Sequence, residues 1–198
     1  PFPLCLRTFG AGTDVTQASV ARGNVVLADH GLTIAGEALI PDTVPQGRRY
    51  RPALRNLGLT HAMPYDDGLR NQPAAAATQL DLRQVIPAVR LSGEFQTWTP
   101  QRDLLNSDRF APEFVVEMEE DGRAYIRFGD DILGRQPAAG TTFQATYRVG
   151  NGAAGNIGAD SLTRVVSLAP GITRVRNPLP ATGGTDPEPV EQVRLYAP

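Results

Sequence analysis

The chain has 198 residues, 41% of them apolar and 20% charged, with a net charge of −2. A chain of this length buries a core without metals or disulfides, and the charge balance provides no global field for nucleic acid. No apolar run approaches the roughly 18 residues of a membrane-crossing helix, and a single cysteine, Cys5, excludes an intrachain disulfide.

Gly (20) and Pro (17) make up nearly a fifth of the chain without a repeating period, a punctuation that favours short strands and turns over long helices. The expected class is therefore mainly β, with short antiparallel strands and hairpins in sandwich-like sheets. The opening residues, from Pro1 to Arg7, contain no basic region leading into a long apolar stretch, so no secretory leader is read there. With Pro rather than Met first, the chain is expected to be an internal piece of a longer protein.

Residues 1–22 read as irregular. Val25-Val26-Leu27-Ala28, then Asp29-His30-Gly31, then Leu32-Thr33-Ile34 read as a hairpin. Pro41, Pro45 and Gly47 mark a loop, and Tyr50 to Leu57 a strand that Pro52 assigns to a sheet edge. Asn71-Gln72 followed by Pro73 and four alanines predicts a short helix near 73–84. Val85 to Leu91 reads as a second edge strand interrupted by Pro87. A soft boundary is placed near 92–97, before Trp98.

The second half is clearer. Phe114, Val116 and Met118 alternate with polar neighbours, Asp121-Gly122 makes a tight turn, and Ala124, Ile126 and Phe128 alternate on the way back. This predicts a β-hairpin. Phe143, Ala145, Tyr147 and Val149 alternate with Thr142, Gln144, Thr146 and Arg148, which predicts a strand with one apolar face. Two shorter strands are expected at 163–168 and 172–175. Asn177-Pro178-Leu179-Pro180 and Gly183-Gly184 read as a linker. Asp186-Pro187-Glu188 then reads as a helix N-cap, first-turn proline and favourable acid, opening a helix that leads to a missing C-terminal domain. The expected organisation is a β-rich region at 1–95, a hairpin-rich domain at 96–176, and a linker with a helix start at 177–198.

Motifs that carry chemistry elsewhere lack their context here. Gly150-Asn151-Gly152-Ala153-Ala154-Gly155 matches a dinucleotide-loop spacing. However, the residues after it do not read as a helix, and the strand before it alternates in polarity, so a structural loop is expected. The acids at 117–121 read as a solvated hairpin tip. His30 and His61 are the only histidines and stand in no zinc-binding pattern. No nucleophile elbow is present. Arg48, Arg49, Arg51 and Arg55 around Tyr50 suggest either a partner-facing edge or, less in keeping with the acidic balance, phosphate contacts with a stacked base. All 19 basic residues are arginine, in keeping with codon bias and also with planar interface contacts.

One stretch is more specific. Arg127-Phe128-Gly129-Asp130-Asp131 leads through Gly134, Pro137 and Gly140 to Ala145-Thr146-Tyr147-Arg148-Val149-Gly150-Asn151-Gly152, then Gly155-Asn156-Ile157. This resembles the baseplate J-like family, wedge proteins of contractile phage tails and tail-like injection systems. It departs from that pattern at Asp131, where Gly is usual, and at Ile157, where Val is common. Trp98 with Asp103-Leu104-Leu105 resembles the family's lead-in, and 177–188 its exit into a following domain.

The resemblance implies a structural role without turnover, catalytic residues, metal or cofactor. Its partners would be other wedge subunits in a six-fold baseplate, not nucleic acid, membrane or a small-molecule substrate. It implies assembly in the bacterial cytoplasm, followed by residence in a virion or extracellular particle. Arg127, Phe128, Gly129, Asp130, Gly134, Pro137, Gly140, Tyr147, Arg148, Gly150, Gly152, Gly155 and Asn156 are the expected assembly-contact loops. Two other classes compete. One is a carbohydrate- or receptor-binding β-domain presenting Trp98, Tyr125 and Tyr147. The other is a wall hydrolase using Glu119 and Asp130 as a carboxylate pair.

Overall fold

A period of two in hydrophobicity makes a strand useful only if one of its faces is covered, and the apolar faces here are covered by curling one sheet around them. The computed structural model describes residues 3–5, 19–21, 31–64, 68, 81–150, 152–166, 174–188 and 190–196. The expected turn at 25–30, most of the helix near 73–84, and residues 167–173 lie outside them.

The chain divides into two units, 1–28 with 63–84 and 29–62 with 85–198. In the first, β1 (Pro3–Cys5) pairs antiparallel with β2 (Ser19–Ala21). Leu82–Gln84 form a 3-10 turn whose start is held by Asp81 Oδ1 accepting the Arg83 N–H at 3.0 Å.

The second unit holds β3 (Leu32–Ala38), β4 (His61–Ala62), β5 (Ile86–Pro87), β6 (Val89–Gly93), β7 (Gln96–Gln101), β8 (Glu113–Met118), β9 (Ala124–Phe128) and β10 (Gln144–Val149). Six strands form one sheet in the order β3-β10-β6-β7-β8-β9, and β4 pairs with β5 in a small second sheet. The β8–β9 hairpin turns at Asp121-Gly122 as the alternation predicts, with Phe114 opposite Phe128 and Met118 opposite Ala124. All ladders of the large sheet are antiparallel except β7–β8, which is parallel. The irregular connection 102–112 carries the chain back to the starting end, which a tight turn cannot do.

The sheet curls until its edges approach one another. Ala53 bridges Ile40 just beyond β3 and also Tyr125 on β9. The Leu54 N–H donates to the Ala124 carbonyl at 2.9 Å and the Ile126 N–H to the Pro52 carbonyl at 2.8 Å. The expected strand at 50–57 is thus a short stave between two edges. Pro52 fits because it accepts a hydrogen bond from the ladder and has none to donate.

The core lies inside the curl. Leu54, Leu91, Trp98, Phe114, Ile126 and Ala145 are fully buried, and each large side chain among them contributes about 2–3 kcal/mol. Phe128 and Phe143 stack with ring centroids 5.0 Å apart, and Trp98 meets both edge-on at 5.4 and 5.5 Å.

A bulge sets the phase of β3. Ala145 pairs with Glu37 and Tyr147 with Ile34, so Ala35 and Gly36 together face Thr146. Gly36 takes φ +69°, readily open to glycine. The extra residue shifts the alternation by one, so Glu37 turns inward and Leu39 enters the core.

Several expectations are corrected. Val85–Leu91 is not one edge strand: it divides at Ala88 into β5, paired with β4, and β6, which is interior between β10 and β7. The boundary near 92–97 falls within the β6–β7 hairpin, whose strands are neighbours in one sheet. Residues 163–166 form no strand and are exposed. The C-terminal helix, α1 (Val190–Tyr196), starts later than Asp186. Pro189 disfavours helical geometry at Glu188 before it. Among the described residues no helix is long and apolar enough to cross a membrane.

Candidate interaction site

Where β9 ends, the chain turns on glycine. A Cβ added at Gly129 would collide with the Gly134 carbonyl, so the two residues pass backbone against backbone. Asp130 Oδ1 accepts the N–H groups of Ile132 at 3.0 Å and Leu133 at 2.9 Å. The Leu133 and Ile132 amides hold its carboxyl below the usual aspartate range. Asp131 sits at φ +66°. Its N–H donates to the Gly134 carbonyl and its Oδ1 accepts the Gln136 N–H, each at 2.9 Å.

From Pro137, which is buried, the loop runs to Gly140 at φ +85°, whose N–H donates to the Val44 carbonyl at 2.9 Å. Glu94 fastens the loop from the β6–β7 turn. Its Oε1 accepts the Ala138 N–H and the Thr141 hydroxyl, each at 2.8 Å, and its Oε2 meets Arg135 at 2.8 Å. Its neighbour Phe95 sits at φ +61° and is fully exposed.

A second knot ties the glycine loop after β10 to the segment expected to be a linker. Gly152–Gly155 form a 3-10 turn. Asp186 Oδ1 accepts the Ala153 N–H at 2.8 Å, and a Cβ at Gly152 would run into that carboxylate. Asn156 and Gly184 exchange two hydrogen bonds. Asn177 donates to the Gly158 carbonyl at 2.9 Å and accepts the Leu162 N–H at 2.8 Å, and Arg176 grips Asp160 through two nitrogens at 2.6 and 3.0 Å. Residues 176–186 are therefore docked on the loop. Asp186 satisfies an amide of the glycine turn instead of capping the helix.

The remaining signature residues face inward or along the sheet. Tyr147 is buried; its hydroxyl donates to Glu37 Oε2 at 2.6 Å and accepts from Asn56 Nδ2 at 2.8 Å. Burial first, then the bond to Glu37, raises its pKa. Arg148 donates to Thr33 Oγ1 and to the Gly31 carbonyl, each at 2.8 Å. The Gly150 carbonyl accepts from the Thr60 hydroxyl. Phe128, Gly134, Pro137 and Tyr147 are buried, so most of their surface goes into shaping the loops.

The arginine cluster is split. Arg51 pairs with Glu117 at 2.8 Å and with Glu119 and lies 4.5 Å above the Tyr125 ring. Arg127 pairs with the other Glu117 oxygen at 2.5 Å. Partial burial pushes the Glu117 carboxyl up, but the two guanidiniums outweigh it and the net shift is downward. The acids expected to be a solvated tip are thus partly clamped by arginine. Tyr50 is buried, stacked on Phe128 at 5.7 Å, and its hydroxyl donates to the Pro41 carbonyl at 2.9 Å. Burial, then Asp42, pushes its pKa to about 12. Its ring cannot stack on a base. Arg48 and Arg49 are exposed, and neither has a hydrogen-bonding, ionic or ring partner among the described residues.

These two arginines border an open cleft of about 560 Å³ between residues 44–50, 103–105 and 127–137. Asp103 Oδ1 accepts the Leu105 N–H at 3.0 Å, so each of its two acids, Asp103 and Asp130, holds a leucine-bearing turn. Leu105 and Ile132 are about three-quarters exposed and Leu133 is 39% exposed. Glu94 and Glu37 carry no sequence signal of these roles, and Leu105 is marked only as part of the Asp103-Leu104-Leu105 lead-in. Glu94-Phe95 has none of the usual turn composition, and Glu37 turns inward only because of the bulge.

Comparisons with protein-family models, with curated proteins and with solved structures find no match to this chain.

Proposed function

We propose that this chain is a structural component of a baseplate wedge, in a contractile tail or tail-like injection particle, and acts through protein–protein contacts without turnover. The observation that carries the reading is the backbone of Asp131. The baseplate J-like pattern usually has glycine at this position. Asp131 adopts φ +66°, a left-handed conformation that glycine enters freely and that aspartate tolerates better than most residues. A left-handed residue here is compatible with a pattern that has glycine, and the carboxylate adds a hydrogen bond to the Gln136 N–H.

A second support is that the quoted motifs gather into two knots on one rigid sheet, the arrangement in which loops are read by partners. In this reading the chain assembles with other wedge subunits in the bacterial cytoplasm and then travels in the particle.

The competing readings lose their named groups. Trp98 and Tyr147 are buried and Tyr125 lies under Arg51, so these rings form no sugar platform. Glu119 and Asp130 stand beyond opposite ends of β9, and the stretch from Arg123 to Phe128 alone spans about 17 Å at strand rise, too far for a glycosidase pair.

The test is to isolate intact particles from producing cells and quantify this chain in them. It is expected in fixed ratio to tube and sheath subunits, and its deletion should leave tubes without organised baseplates. Intact baseplates formed without the chain would refute the proposal.

A further inference from the structure

We propose that the cleft beside Arg48 and Arg49 receives a segment of a partner protein that combines carboxylates with bulky apolar side chains. This rests on the reading that the loop face meets a neighbouring protein, and adds the chemistry of what it meets.

The cleft has an apolar wall and a cationic rim. Leu104, Leu105, Leu133, Phe128 and Pro137 line it, and Leu105 presents most of its surface to solvent. Its volume is that of a site taking a few side chains. Exposed leucines gathered at a concavity mark a contact surface. The two leucine-bearing turns are held in place by Asp103 and Asp130 through backbone amides, so the wall is fixed before a partner arrives.

Charge identifies the occupant. Arg51, Arg127, Arg135 and Arg176 all spend their guanidiniums on carboxylates of this chain. Arg48 and Arg49 do not, and they stand side by side at the cleft. Planar guanidiniums favour carboxylates through paired hydrogen bonds. Asp103 and Asp130, by contrast, each use an oxygen to hold a turn and offer the cleft negative charge. A phosphate backbone would meet that charge, and no base could stack on Tyr50, whose ring is committed to Phe128. A protein segment with its acids toward Arg48 and Arg49 and its apolar side chains on the leucines matches both the cationic rim and the apolar wall; a nucleic acid matches only the rim.

The experiment measures fluorescence anisotropy of the full chain with three labelled probes. These are a short peptide alternating Asp with Phe and Leu, the same peptide with Lys for Asp, and a short oligothymidylate. The acidic peptide is expected to bind at least about tenfold tighter than either other probe. Added salt should weaken it. The double substitution R48E/R49E and, separately, Leu105→Ser should each weaken it by about tenfold with thermal stability unchanged, since these side chains are exposed. Absent or equal binding of the acidic peptide, preference for the oligonucleotide, or an unchanged affinity in R48E/R49E would overturn the proposal.

A parallel measurement separates this failure from that of the function itself. In a Cys5→Ser background, Leu105→Cys is labelled with maleimide before and after incorporation into particles. Shielding on assembly with no acidic-peptide preference would leave the contact face standing and remove only its chemistry. Full reactivity in assembled particles would remove both.

Discussion

Asn156 and Gly184 hydrogen-bond each other twice: Nδ2 donates to the Gly184 carbonyl and Oδ1 accepts the Gly184 N–H, each at 2.8 Å. A side-chain amide that donates and accepts in one plane imitates a rung of a β-ladder, and here it joins segments 28 residues apart. Asn156→Asp keeps the shape but replaces the donor with an acceptor facing a carbonyl. It should cost about 1 kcal/mol and speed hydrogen exchange at the Gly184 amide while leaving β-sheet amides protected. Unchanged exchange at Gly184 would show that the clamp does not hold the segment.

Gly129 and Gly140 predict different responses to the same substitution. At Gly129 a Cβ meets the Gly134 backbone, which has no flexible end to yield. At Gly140 it meets open space, and the only penalty is φ +85°. Gly140→Ala should lower stability by about 1–2 kcal/mol and Gly129→Ala by several times more, read from urea midpoints. Similar midpoints would contradict the close passage of the two backbones.

Asp131 sets two local effects against each other. Asp131→Gly removes the left-handed strain, about 1 kcal/mol, and also the carboxylate bond to Gln136 of similar size, so its melting temperature should move little. Asp131→Ala keeps the strain and loses the bond, and should fall clearly below both. Equal melting temperatures for the Ala and Gly variants would mean that φ at this position is unstrained.

Phe95 is expected to be worse for stability than glycine. At φ +61° and fully exposed, its side chain gives the fold little and holds the turn in a conformation that L-residues avoid. Phe95→Gly should raise stability by up to about 1 kcal/mol, offset in part by the entropy of the unfolded chain, as checked by thermal melting. A clear loss would show that the ring packs against the body of the protein.

The Glu117 carboxyl is held below its ordinary value of 4.5, so its folded form releases the proton more readily than its unfolded form. Its contribution to stability is therefore complete above about pH 4.5 and disappears as the pH falls through the lower folded value. Glu117→Gln should be less stable than wild type near neutrality and approach it in acid. Parallel melting-temperature profiles down to about pH 3 would mean that Arg51 and Arg127 do not stabilise the ionised form.

The readability of the fold depended on where the determining interaction lay. Phe114 to Phe128 and Phe143 to Val149 carry alternation and a tight turn within a few residues, and both became strands as expected. Gln96–Gln101 contains Pro100 and one buried aromatic, so its strand, and above all its parallel pairing with β8, depends on the crossover and not on its own pattern. The segment 176–186 has the composition of a linker, and its docking comes from Asn156, Asn177 and Asp186 meeting partners distant in sequence. Among the signature residues the motif did not distinguish those that point inward, Phe128 and Tyr147, from those at the surface.

The stave at 52–54 has a consequence beyond closing the curl. By taking up the outer rim of β9 with a proline-bearing segment, it removes a row of hydrogen-bonding groups that would otherwise be open to strands from other molecules. With that rim taken up, crowding cannot drive indiscriminate strand-to-strand fusion along it.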